Sequence, residues 1–133
     1  MKGVVILSAI GYIQVHAYTS NAQIPLAGVA VAITDVNGSA IALRLTNRSG
    51  QLDVPVEISV PDLSASQSPG TGVIPYAVVN LYAKVEDYEE IDIENLQIFP
   101  NTVTLQNLEM IPLSELPEQW NKAEVFNTPP QNL

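Results

Sequence analysis

The chain reads as an all-β sandwich of about seven strands, and two observations predict it. Apolar and polar residues alternate in short runs, and Gly, Pro, Asn and Asp punctuate those runs about every eight to twelve positions. At 133 residues it is the size of one domain, enough to bury about two thirds of its unfolded surface around a single core.

The first strand is predicted over Gly11–Tyr18, with Ile13, Val15 and Ala17 facing one way and Tyr12, Gln14, His16 and Tyr18 the other. Ile24-Pro25-Leu26-Ala27-Gly28 leads into Val29, Val31 and Ile33, then Asp35-Val36-Asn37-Gly38, then Ile41, Leu43 and Leu45. That is an antiparallel pair hinged on an Asn-Gly reversal, because Asn and Gly accept positive φ, and its branched residues are placed to fill one sheet face. Thr46-Asn47-Arg48-Ser49-Gly50 closes the pair. Leu52, Val54, Val56, Ile58 and Val60 suggest a fourth strand, which Pro55 confines to a sheet edge or a bulge because proline donates nothing to a ladder. Residues 61–75, rich in Pro, Ser and Gly, read as a long surface loop. A fifth strand over Tyr76–Val85 carries Val79, Leu81, Ala83 and Val85 on one face, and a sixth over Tyr88–Ile98 carries Ile91, Ile93, Leu96 and Ile98. A turn at Phe99-Pro100-Asn101 precedes the last strand, which ends at Met110.

Composition narrows the possible roles. Apolar residues are 47% and charged residues 14%, the signature of a globular chain, and the uninterrupted apolar runs, such as Val4–Leu7 and Val29–Ile33, fall far short of a bilayer span of roughly 20 residues. There is no cysteine, which removes disulfides, thiolate nucleophiles and cysteine zinc sites. The net charge of −9 is unevenly placed: in residues 1–60 Lys2, Arg44 and Arg48 balance Asp35, Asp53 and Glu57, so the whole imbalance lies in residues 61–133. An acidic surface with no basic patch repels phosphate backbones and anionic lipid, so neither nucleic acid nor a membrane surface is an expected partner.

Residues 1–10 are read as a lead-in segment, an uncleaved strand or short helix. Lys2, the apolar Val4–Ile10 stretch and Val15-His16-Ala17 also match an export signal with a small-residue cleavage site. Cleavage after Ala17 would remove a strand whose alternation the fold needs.

The series Gly11-Tyr12-Ile13-Gln14-Val15, Ile24–Val31, Thr46-Asn47-Arg48-Ser49-Gly50-Gln51, Pro75-Tyr76, Tyr88, Ile98-Phe99 and Thr104–Leu113 resembles the carboxypeptidase regulatory-like, transthyretin-like (prealbumin-like) antiparallel β-sandwich. It is most similar to the version at the N-terminus of clostridial spore cortex-lytic enzymes and in small stand-alone relatives. The resemblance spans residues 11–113 and rests on turns and core positions. It implies an accessory module of the kind that precedes glycan-cleaving or wall-binding domains in those enzymes, and an association with spore cortex or cell-wall lytic machinery follows by analogy with them. Where that family has Thr-Asp before the turn glycine, this chain has Thr46-Asn47, one carboxylate fewer for a cation.

The candidate sites are few. Six carboxylates fall in Glu86–Glu94, and on a strand Glu90, Asp92 and Glu94 share one face at intervals of about 6.6 Å, too spread to cage calcium alone. That row is expected to be a solvated sheet face that discourages edge pairing, with weak metal candidacy. His16 is the only histidine and is expected on the outer face of the first strand, outside any triad. Tyr12, Tyr18 and Tyr82 fall on outward faces, where they could stack on sugar rings or on protein. Residues 114–133 are read as an arm outside the sandwich, with Trp120, Val125 and Phe126 as apolar anchors on its own domain or on a partner. No nucleophile, metal set or acid pair stands out, so no catalysis and no cofactor are expected. The expected role is a non-catalytic interaction module acting on a protein partner or on itself through the arm, with peptidoglycan binding as the alternative.

Overall fold

The computed structural model describes residues 8–61, 76–115 and 123–127, and everything structural below refers to these. Residues 62–75 of the loop predicted over 61–75, the first seven residues and Trp120 lie outside them, while Pro61, read as the start of that loop, ends a strand. Eight strands form two facing sheets: β1 (Ser8–Thr19), β2 (Ala30–Asp35), β3 (Ala40–Leu45), β4 (Val56–Pro61), β5 (Ala77–Lys84), β6 (Glu90–Ile98), β7 (Val103–Met110) and β8 (Ala123–Asn127). One sheet has the order β4-β1-β7 and the other β3-β2-β5-β6-β8. Pairing is antiparallel except for β1 with β7 and β6 with β8, which run parallel. The sandwich expected from the sequence is therefore present, with one parallel pair in each sheet.

The alternation read in β1 is the alternation observed. Ile13, Val15 and Ala17 are buried, while Tyr12, Gln14, His16 and Tyr18 are half-buried on the outside. They meet Val56, Ile58 and Val60 of β4, Leu108 and Met110 of β7 and, from the other sheet, Val31, Ile33, Val79, Leu81, Ala83, Ile91, Ile93, Leu96 and Ile98 in one cluster. Full burial of each large aliphatic side chain is worth about 1.5–3 kcal/mol. β4 begins directly after Pro55 and occupies a sheet edge, the position proline required of it.

Three features depart from the sequence reading. β3 pairs Leu43 with Ala32 and Leu45 with Ala30, whereas Val31 and Ile33 face the core. Cross-strand partners share a face, so Leu43 and Leu45 lie on the outside of the sheet, 66% and 64% exposed, and Ile41, passed over by the register at the bulge, is 42% exposed. The turn sets this parity. Asp35 Oδ1 accepts from the N–H of both Asn37 and Ser39 (2.9 Å each), Gly38 takes φ 87°, and a bulge falls between Ile33 and Thr34.

Residues 123–127, read as part of an arm outside the sandwich, instead form β8, paired in parallel with β6 from Glu90↔Ala123 to Glu94↔Asn127. A parallel edge strand takes its register from a distant neighbour, so five residues with one charge carry little local sign of it. Finally, β6 is not a plain alternating strand. Asn95 adopts φ 61° and the register with β5 shifts between Val79 and Leu81; the Asn95 N–H is held by Asn80 Oδ1 at 3.0 Å. The bulge lets Leu96, Gln97 and Ile98 all become buried.

Candidate functional site

The outer face of the three-stranded sheet gathers four polar or aromatic side chains around a small cleft. His16 and Tyr18 are two residues apart on β1, so they point the same way, with ring centroids 5.3 Å apart at 45°. Parallel pairing of β7 brings Asn107 opposite His16 and Glu109 opposite Tyr18. Gln23 arrives from the turn after β1, where its φ of 53° and its N–H bond to the Thr19 carbonyl (3.1 Å) aim it back toward the strand. His16, Tyr18, Gln23 and Asn107 line an open cavity of about 230 Å³. An aromatic face beside two amides suits a neutral polar ligand such as a sugar, which stacks its C–H face and hydrogen-bonds its hydroxyls.

Neighbouring Gln14 is engaged in structure. Its Nε2 donates to the Leu52 carbonyl (3.1 Å), and its Oε1 accepts from the N–H groups of Val15 (2.9 Å) and Leu52 (2.8 Å). It fastens the loop before β4 to β1.

The three candidate tyrosines do not form one site. Tyr12 stands six positions from Tyr18 on the same strand, about 20 Å away, opposite Val103. Tyr82 is on the outer face of the other sheet, opposite Asp92.

That second face holds the acidic row. Glu90, Asp92 and Glu94 share one face of β6 as the spacing required, but the row is half-buried rather than fully solvated. β6 is interior to its sheet, flanked by β5 and by the backbone of β8. Asp92 Oδ1 is buried without a hydrogen-bond partner. Burial first, then a hydrogen bond with Glu90 and the charges of Glu90 and Glu94, raise the Asp92 carboxyl from 3.8 to about 6. No three acidic or imidazole side chains among the described residues converge closely enough to hold a metal ion.

Asp92 therefore makes a pH prediction. Its folded pKa lies above its unfolded value, so the folded state binds more protons between them; stability tied to this group is full below about pH 3.8 and lost as pH rises through about 6. Asp92→Asn should flatten the fall in urea midpoint between pH 4 and 7 and leave the protein about 1 kcal/mol more stable at pH 7.5, a figure reduced for the partial exposure of the carboxylate. An unchanged pH profile in the variant would assign the dependence to other groups.

Sequence reasoning passed over Glu89, which is completely buried and whose N–H donates to the Ile111 carbonyl (2.9 Å). It also read Asn47 as a lost carboxylate. Asn47 Oδ1 accepts from the N–H of Ser49 (2.8 Å) and Gln51 (3.2 Å), and its Nδ2 donates to Asp53 Oδ1 (2.9 Å), a bond an aspartate could not offer at neutral pH. A second open cavity, of about 420 Å³, is lined by Asp87, Tyr88, Pro112, Leu113 and Ser114.

No protein-family model and no curated protein matches the chain. Among solved structures it is similar to GBS52, the minor pilin of the Gram-positive pathogen Streptococcus agalactiae, with a TM-score of 0.53 and 14% identity. That likeness covers 86% of this chain and 49% of the pilin chain, so the protein spans about half its neighbour's length. At this identity the likeness establishes the β-sandwich fold.

Proposed function

We propose that this chain is a non-catalytic interaction module of a surface- or wall-associated system. The observation that carries this reading is β3, an edge strand whose outward Ile41, Leu43 and Leu45 are all exposed. Contiguous aliphatic exposure on a sheet edge is the mark of a partner surface. The resemblance to modules of spore cortex-lytic enzymes and the likeness to a minor pilin both support a place at the cell surface or wall. Trp120, Val125 and Phe126 are proposed as further interface residues. Because β8 contains Val125 and Phe126, Trp120→Ala tests that segment better than its deletion would.

A second reading, a glycan-binding module for peptidoglycan, is favoured by the aromatic and amide lining of the His16–Tyr18 cleft. One experiment separates the two: co-sedimentation with cell-wall and spore-cortex peptidoglycan, either stripped of protein or carrying its proteins, at low and moderate salt. The interaction module is expected to pellet only with protein-bearing wall and to lose this when Leu43 and Leu45 are both changed to Lys. Pelleting with stripped wall that survives salt and disappears in Tyr18→Ala would replace it with the glycan reading. A double lysine variant that pellets like the parent protein would overturn the β3-based reading.

A further inference from the structure

Deepening the interaction-module reading, on which it rests, we propose that the occupant of the β3 edge is β3 of a second copy, paired antiparallel about a two-fold axis to give one continuous sheet. Thr46 turns both its backbone groups toward the β2 side: its N–H donates to the Val29 carbonyl (3.1 Å) and its carbonyl accepts from Gly28 (2.9 Å). Backbone direction alternates along an antiparallel ladder, so Leu45 and Leu43 turn their N–H and C=O groups to the open edge. The Leu43 carbonyl accordingly takes the Arg44 guanidinium (3.0 Å) in place of a strand.

Self-pairing has a register in which everything matches. Partners across an antiparallel pair share a face, and centring the two-fold on Leu43 sets Leu45 against Ile41 and Arg44 against Ala42, whereas centring it on Arg44 would oppose two arginines. The three exposed aliphatics then cover one another on one face, and the arginine lies beside a short alanine on the other. The bulge sits at the turn end of β3 and leaves Leu43–Leu45 in regular register with β2.

Charge selects this edge for a copy carrying −9. From Val36 to Leu52 there is no carboxylate, and residues 1–60 sum to zero. β6, which carries Glu90, Asp92 and Glu94, is three strands in from β3. Joining two β3 edges places the two β6 strands seven strand spacings apart, about 34 Å, against a screening length of about 8 Å at physiological salt. The acidic rows of the two copies are thus held beyond each other's reach, and the only charges between Val36 and Leu52 are Arg44 and Arg48 of each copy. Such an interface is isologous and closes at two copies.

The test is sedimentation velocity on the full chain from about 1 μM to about 1 mM, the range of weak to moderate association, with disulfide trapping beside it. Because the chain has no cysteine, Leu43→Cys introduces a single thiol. Opposed Cα atoms about 5.5 Å apart lie within disulfide reach. Ser59→Cys, on the exposed edge of β4 in the other sheet, is the control for random collision. Circular dichroism and the thermal midpoint check that each variant folds. The expected result is a dimer whose dissociation constant rises at least tenfold when Leu43 and Leu45 are both lysine, with covalent dimer from Leu43→Cys and little from Ser59→Cys. A wild type that stays monomeric, a dimer indifferent to the lysines, or equal trapping at both cysteines overturns the proposal. If the monomeric protein still loses wall-protein capture in the double lysine variant, only the second copy as occupant falls; if capture is also unchanged, the interaction-module reading falls with it.

Discussion

Gly50→Ala is expected to cost about 3 kcal/mol or more, at least about a fifth and up to more than half of the roughly 5–15 kcal/mol stability of an ordinary domain. Gly50 closes the turn after β3 with φ 74°, a region where an L side chain is strained. Space is the larger objection. A Cβ there would fall on the Ala17 carbonyl oxygen, with the Ala17 carbonyl carbon and nitrogen at 3.3 and 3.4 Å. None of these atoms is free to retreat. The Ala17 N–H donates to the Gly50 carbonyl (2.8 Å), the Ala17 carbonyl accepts from Leu26 (3.0 Å), and the Gly50 N–H reaches back to Asn47 (2.9 Å). Relieving the clash opens the contact between β1 and the turn. Gly38→Ala is the control: φ is 87° but nothing lies within 4 Å, so only the backbone strain of about 1 kcal/mol applies. Urea midpoints of the two variants check this, and equal losses would mean that the close approach to Ala17 costs nothing.

Much of this arrangement was legible because it is local. β1 and β5 expose the two-residue period directly, and Pro55 confines β4 to a sheet edge, although Leu52 and Val54, read as part of that strand, precede its start at Val56. What was hidden depends on pairing between distant segments. The outward facing of Ile41, Leu43 and Leu45 follows from the parity of the Asp35–Ser39 turn and its bulge, which an apolar-every-second-residue pattern does not encode. β8 is defined by its neighbour β6 and not by its own propensities.

The candidate cleft divides the same way. That His16 and Tyr18 share an outer face could be read from β1 alone. That Asn107 joins them could not, because it depends on β7 running parallel to β1, and Gln23 reaches the group only through a positive φ in a turn. The acidic row shows the limit from the other side. Its common face was predictable, but the half-burial that raises Asp92 required knowing that β8 makes β6 an interior strand. Which residues share a strand face can be read from sequence; whether that face points inward, and which strands are sheet edges available to a partner, are set by turn parity and topology.

Thr46→Val carries the second large expected loss, about 2–3 kcal/mol, and links the core to the proposed partner edge. The side chain is 5% exposed. Its Oγ1 donates to the Leu26 carbonyl (2.7 Å) and accepts from the Val29 N–H (3.0 Å), joining the stretch before β2 to the end of β3. Valine keeps the shape and removes the hydroxyl, so two backbone groups lose their partner inside the protein, and unmet buried groups each cost about 1–3 kcal/mol. Thr46→Ser should recover most of the loss, because the missing element is the hydroxyl rather than the methyl. Hydrogen exchange gives the sharper readout: protection is expected to fall at Gly28 and Val29 and to spread into β3, whose facing is held by its pairing with β2, while Leu81 and Ile93, on β5 and β6 further into the same sheet, stay protected. If Thr46→Val loses stability uniformly instead, the end of β3 is not a separate local unit, and a partner at that edge would stabilise the whole sandwich rather than the hairpin alone.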